Sequence, residues 1–234
     1  MTYSDNEKSQ IRYARLAGFM YLFVDFAYAA GVMIANHLEV PGNFTETSHA
    51  IMRSELLYRI GLTSVFIGAL STVFLAMGLY VTVKPIDKNL ALLALLFRLV
   101  EATMFGLQSL FSFIVLKVFI GSDYMQAFGS SQPSVLVNLR SALYSDGFIV
   151  AGLFFCMGSI IFFYLFLKST YLPKALSAFG LFGTLLLTIT NFADLILPQY
   201  HKILQLGILP LAVAEIIVGL WLLIKGVNLR PREN

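Results

Sequence analysis

Residues 89–118 read NLALLALLFRLVEATMFGLQSLFSFIVLKV. The stretch is continuously apolar except for two charges near its centre, Arg98 and Glu101. About 20 predominantly apolar residues suffice for a helix to cross a bilayer. A charge at the middle of such a helix costs roughly 2.5–3.5 kcal/mol on insertion scales. A chain keeps such residues only where they face a protein interior, a cavity or each other. Asp25 and Glu215 occupy similar depths in two other apolar runs. The sequence therefore describes a membrane protein with a polar centre.

Composition points the same way. Of 234 residues, 58% are hydrophobic and 12% charged, with a mean hydropathy of +0.80. Soluble domains carry about 25% charged residues. The apolar runs are long and unbroken, whereas the strands of a β-barrel alternate apolar and polar residues. The fold class is all-α, an integral membrane bundle. Six spans are expected, at 16–36, 56–83, 89–118, 146–168, 175–197 and 207–226. They form a single transmembrane domain over 16–228, between a cytoplasmic segment 1–15 and a cytoplasmic tail 229–234. No small-residue cleavage site follows the first run, which reads as an uncleaved helix.

Lys and Arg placement sets the orientation. With the N-terminus inside, the cytoplasmic set is Lys8, Arg12, Arg15, Lys84, Lys88, Lys168, Lys174, Lys225, Arg230 and Arg232. The outer set is Arg53, Arg59, Lys117, Arg140 and Lys202. The bias places both termini inside. Inner connections at Lys84–Lys88 and Lys168–Lys174 are tight and carry Pro85 and Pro173, which cannot continue a helix. The outer loops, 37–55 and 119–145, are longer. Gly121, Gly129, Ser130, Ser131 and Pro133 mark the second as irregular. Thr47 and Ser48 are candidate caps of a short interfacial helix over 45–58, and Glu55 precedes Arg59 in a favourable i,i+4 order. Asn43-Phe44-Thr45 fits the glycosylation pattern. Tyr-x3-Lys recurs at Tyr80–Lys84 and Tyr164–Lys168, as an interfacial tyrosine beside a snorkelling lysine. Tyr13, Tyr21, Tyr171 and Trp221 read as further belt residues. The net charge of +3 is dispersed, so no nucleic-acid surface is expected.

The candidate ligand or ion site is Asp25, Arg98, Glu101 and Glu215, with Arg98 paired to an acid on another helix, Glu215 before Asp25. Arg59, Asp146, Asn191 and Asp194 form a second tier toward the outer face. Asp146 reads as lying near the start of its helix, where it would meet the helix dipole. All three histidines, His37, His49 and His201, fall on that side together with Glu39 and Asp123. None has dedicated metal spacing, so they are weak metal candidates. Cys156, the single cysteine, reads as a small packing residue. No phosphate-binding lysine loop, nucleophile elbow, zinc-protease or haem-attachment motif occurs, and no cofactor is expected.

Three segments share an ordered pattern. The first holds Leu79-Tyr80, Lys84-Pro85, Lys88, Leu90-Ala91-Leu92, Phe97-Arg98 and Glu101-Ala102. The second holds Lys168-Ser169, Leu172-Pro173-Lys174 and Leu176. The third holds Glu215, Gly219, Trp221-Leu222-Leu223 and Lys225-Gly226. In order and spacing this set resembles the domain of unknown function (DUF) 4386 family of bacterial multi-pass membrane proteins, over nearly the whole chain. The resemblance implies a bacterial cytoplasmic membrane protein, and it places Arg98, Glu101 and Glu215 within the family pattern. It carries no activity and no catalytic residue. Three functions stay open: binding or transport of a small amphipathic molecule or ion at the midplane charges; lipid or isoprenoid chemistry at the outer carboxylates and histidines; and an accessory, structural role. Membrane lipids are the expected partners, and the sequence sets no oligomeric state.

Overall fold

A computed structural model describes residues 5–40, 43–120 and 132–229. The elements are α1 (Asp5–Leu38), α2 (Phe44–Arg53), α3 (Glu55–Val83), α4 (Lys88–Ile120), α5 (Gln132–Lys168), α6 (Lys174–Ile196), a 3₁₀ turn (Pro198–Tyr200), α7 (His201–Leu204), a second 3₁₀ turn (Gln205–Ile208) and α8 (Leu209–Ile224). No strand occurs among the described residues. Six stretches are long and apolar enough to cross a membrane: Asp5–Leu38, Glu55–Val83, Lys88–Lys117, Asp146–Lys168, Lys174–Ile196 and Pro198–Ile224. Phe74, Phe182, Ile189 and Ile224 are among many large apolar side chains left exposed. Water would penalise such a surface, and acyl chains solvate it.

The differences from the sequence reading have local causes. Helix α1 starts at Asp5, not residue 16. Asp5 and Glu7 in its first turn meet the dipole, and Lys, Gln and Arg are good helix formers. Helix α5 starts at Gln132, inside the expected loop. Pro133 suggests a loop there, but proline fits a first helical turn, where its missing N–H is no loss. Asp146 is therefore mid-helix and exposed, beyond reach of the dipole. The short helix over 45–58 divides into α2 and the start of α3 at Ser54. Its cap is Asn43, whose side chain accepts from the Glu46 N–H. Thr47 instead exchanges hydrogen bonds with the Val40 backbone. Tyr21 is buried, 2% exposed, and is not a belt residue. The sixth span is broken ahead of α8 by two 3₁₀ turns. Asp123 and the glycine–serine centre of the 119–145 loop lie outside the described residues, as do Arg230 and Arg232.

The tight connections are built as the sequence implies. After Pro85, Asp87 caps α4, accepting from the N–H groups of Asn89 and Leu90 at 3.0 Å each. After α5, the Ser169 hydroxyl accepts from the Tyr171 N–H, and Pro173 precedes α6.

The chain forms two compact units. Unit 1 comprises residues 1–23, 71–102 and 149–234; unit 2 comprises 24–70 and 103–148. In unit 2, Leu38, Ile51, Tyr58, Leu62, Val115 and Leu116 form a core that ties α2 to α1, α3 and α4. The Tyr58 hydroxyl donates to Glu39 at 3.1 Å, and Arg59 pairs with Glu55 at 2.7 Å. In unit 1, glycines set the helix spacing. A methyl group at Gly18 would collide with the Leu223 nitrogen and stand 2.6 Å from the Gly219 oxygen. One at Gly183 would stand 2.8 Å from the Leu211 nitrogen. These contacts are with backbone, so no side-chain movement relieves them. Gly18→Ala is expected to lose about 1–3 kcal/mol through overpacking. Gly106→Ala, with nothing within 4 Å of the new methyl, should be neutral or gain about 0.5–1 kcal/mol. Thermal unfolding of both variants in one detergent checks the contrast.

Candidate functional site

Unit 1 collects Arg98 and Glu101 from α4, Cys156 from α5, Thr188 from α6 and Glu215 from α8. Arg98 and Glu101 are each 2% exposed and Glu215 is 6% exposed. Arg98 Nη1 and Glu101 Oε2 stand 3.1 Å apart, an i,i+3 pair on one face of α4. Their alignment falls short of a hydrogen bond, and among the described residues the Glu101 Oε2 atom is ion-paired without one. These are the two charges that stand out near the centre of the apolar run 89–118.

The arginine reaches that position because α5 makes room for it. A methyl at Gly158 would meet Arg98 Cγ at 3.0 Å, Cδ at 3.1 Å and the Ala94 carbonyl at 3.1 Å. The aliphatic stem thus lies in a glycine notch. The guanidinium carbon lies 4.6 Å from the ring centre of Phe155, a cation–π contact strengthened by desolvation. One residue on, Cys156 is fully buried and interacts electrostatically with Arg98, Glu101 and Glu215. Its thiol is within hydrogen-bonding reach of the Thr188 hydroxyl. That hydroxyl donates to the Thr184 carbonyl at 2.7 Å. The cysteine is thus a polar member of the site as well as a packing residue.

Helix α6 carries a polar stripe past this centre. Ser177, Thr184, Thr188, Asn191 and Asp194 recur at spacings of three, four or seven residues and share one face. The first two and Asp194 are buried. Thr184 and Thr188 donate to the carbonyls four residues back, so their hydroxyls are satisfied without a partner helix. From Ser177 to Asp194 the stripe runs about 25 Å at 1.5 Å per residue. Asn191 packs on Gly152 of α5. At the end of the stripe, Asp194 Oδ2 holds His201 Nδ1 at 2.7 Å, and Gln205 Nε2 holds His201 Nε2 at 2.7 Å. Asp194 Oδ1 is buried with no hydrogen-bond partner among the described residues.

Of the remaining candidates, Asp25 is half-buried in unit 2. His37 closes α1, and His49 is exposed on α2. Among the described residues no group of three His, Cys, Asp or Glu stands close enough to hold a metal ion.

Six apolar spans, with buried charges in the third and the sixth, define a multi-pass helical membrane protein. A family model described as a domain of unknown function (DUF4386) matches residues 16–226, and the chain belongs to that family. No curated protein and no solved structure matches the chain.

Removing one partner of a buried pair strands the other. Arg98→Met or Glu101→Met alone should destabilise the protein by about 3–5 kcal/mol, and the double variant by less than the sum of the two. A double-mutant cycle on detergent unfolding midpoints measures the coupling.

Proposed function

We propose that this protein resides in the bacterial inner membrane with both termini in the cytoplasm, and binds a small amphipathic molecule or ion. The Arg98–Glu101–Glu215 centre holds the charged or polar part of the ligand. The observation that carries this reading is the near-complete burial of all three groups in the middle of apolar spans. Intramembrane ionisable residues are costly, and they commonly mark ligand, ion or proton sites. A centre holding both signs of charge suits a ligand head with a donor and an acceptor. The stripe on α6 supplies hydroxyl, amide and carboxylate groups between this centre and the Asp194 end, and transport along it is one form of the proposal.

A reading as an enzyme of lipid or isoprenoid chemistry draws support from the Asp194–His201 pair, in which a carboxylate orients an imidazole. A metal-assisted form of it needs a third ligand, and among the described residues no metal-holding group of three forms.

Native mass spectrometry of the purified protein, with extraction of bound lipids and metabolites, tests the proposal. The wild type should retain a ligand that Arg98→Gln and Glu101→Gln both lose. Absence of any bound molecule, with both variants merely less heat-stable, would overturn it in favour of a structural network.

A further inference from the structure

A groove of about 570 Å³ runs along the first turns of α1, lined by Asp5, Lys8, Ser9, Arg12, Tyr13 and Leu16. We propose that this groove is a binding site for the headgroup of an anionic phospholipid. Four observations carry the assignment.

The first is rigidity. Because α1 begins at Asp5, Lys8, Arg12 and Arg15 stand on a formed helix. Spacings of four and three residues place them on one face. From Lys8 to Arg15 the rise is about 10 Å, and a bilayer's polar layer is roughly 5–8 Å deep on each side of its core. The three cations span that layer.

The second is depth. Gln10 Nε2 donates to the Thr82 carbonyl at 2.6 Å, which pins the groove to the last turn of α3. A methyl at Gly226, just after α8, would contact Ile11 at 3.6 Å, and the Asn228 N–H reaches the Tyr171 carbonyl at 3.4 Å. These contacts bring the ends of α3, α5 and α8 to the level of the groove. Each of those ends carries an aromatic ring with a lysine four residues later. Lys84 lies 5.9 Å from the Tyr80 ring, Lys168 5.3 Å from Tyr164 and Lys225 5.7 Å from Trp221. Such rings and snorkelling lysines mark the membrane–water interface. The groove therefore opens at headgroup depth.

The third is unspent charge. Lys8 pairs with Asp5 at 3.3 Å, but both side chains are largely exposed and such a pair holds weakly. Among the described residues Arg12 and Arg15 have neither an ion-pair nor a hydrogen-bond partner. A guanidinium is built for bidentate contact with a phosphate. The hydroxyls of Ser9 and Tyr13 add donors beside it.

The fourth is the gradient along the helix. Leu16 closes the groove on the membrane side. Beyond it, exposed Phe19 and Phe23 stack at 5.9 Å on the same face. Cationic and hydroxyl groups followed by leucine and phenylalanine match phosphate, glycerol and acyl chain in order. A soluble phosphate would use the first part alone, so the proposal commits to the lipid.

The test places the full chain in nanodiscs of equal phosphatidylglycerol and phosphatidylcholine and counts lipids retained on gentle release in native mass spectrometry. The wild type should keep phosphatidylglycerol preferentially. The double variant Arg12→Gln/Arg15→Gln should lose that preference by about 30-fold, at roughly one order of magnitude or less per basic residue. Arg12→Lys/Arg15→Lys keeps the charge and should keep most of the preference, and Lys202→Gln, at the opposite end of the last span, should leave it unchanged. Inorganic phosphate at millimolar concentration should not displace the lipid. Equal retention of the two lipids by the wild type would overturn the proposal. Full preference in the glutamine double variant, or displacement by phosphate alone, would do the same. If the glutamine double variant misfolds, the lysine variant and the wild-type lipid preference decide the matter.

Discussion

Arg98 and Glu101 stand 3.1 Å apart in the middle of an apolar span, and much of unit 1 serves to keep them out of hydrocarbon. Each charge alone would cost roughly 2.5–3.5 kcal/mol at mid-membrane. Pairing on one helix face offsets part of that cost. The neighbouring helix contributes through the face of Phe155, and its notch at Gly158 admits the arginine stem. Neither feature tolerates much change. A side chain at Gly158 would push the arginine stem aside, and loss of the ring would expose the guanidinium to less polarisable surroundings.

A second constraint follows from the same solvent. Hydrocarbon supplies no hydrogen bonds, so hydroxyls on a spanning helix must find partners within the protein. Thr184 and Thr188 do so on their own helix, which leaves their acceptor lone pairs for whatever lies alongside. This is how α6 carries these hydroxyls past α5 and α8. The approach of α6 to α8 is close enough at Gly183 for backbone to meet backbone, which brings Glu215 into the same polar neighbourhood as Cys156.

Most of the fold was legible because its signals are long. Twenty apolar residues in a row have few alternative readings, and proline with aspartate or serine fixes where the inner turns fall. Ambiguity lay at helix ends. Polar helices continued beyond the apolar core at Asp5 and Gln132, and hydropathy is silent about helices outside lipid. Pro133 carried the missed signal, since the residue that breaks a helix interior also begins one. In the site, Arg98, Glu101 and Glu215 were conspicuous because charge in an apolar run is rare. The threonines of α6 were not, because threonine is nearly neutral in hydropathy and only its spacing betrays a shared face. The Asp194–His201 contact spans a break in helix, so no periodic pattern joins the two residues. The third aromatic–lysine pair, Trp221 with Lys225, repeats a spacing already visible at two other helix ends and was open to discovery from the sequence.

Cys156 offers the most direct test of whether the charged centre receives a ligand. It is the only cysteine in the chain, it is fully buried, and it touches the electrostatic field of all three charged groups. The decisive measurement is the rate at which a small maleimide alkylates this thiol in folded protein in membranes, read by intact mass. A ligand-binding centre predicts measurable labelling under native conditions, slowed by adding back the molecules extracted from the wild-type protein. Labelling that begins only when the protein is denatured would show a sealed core and contradict the assignment.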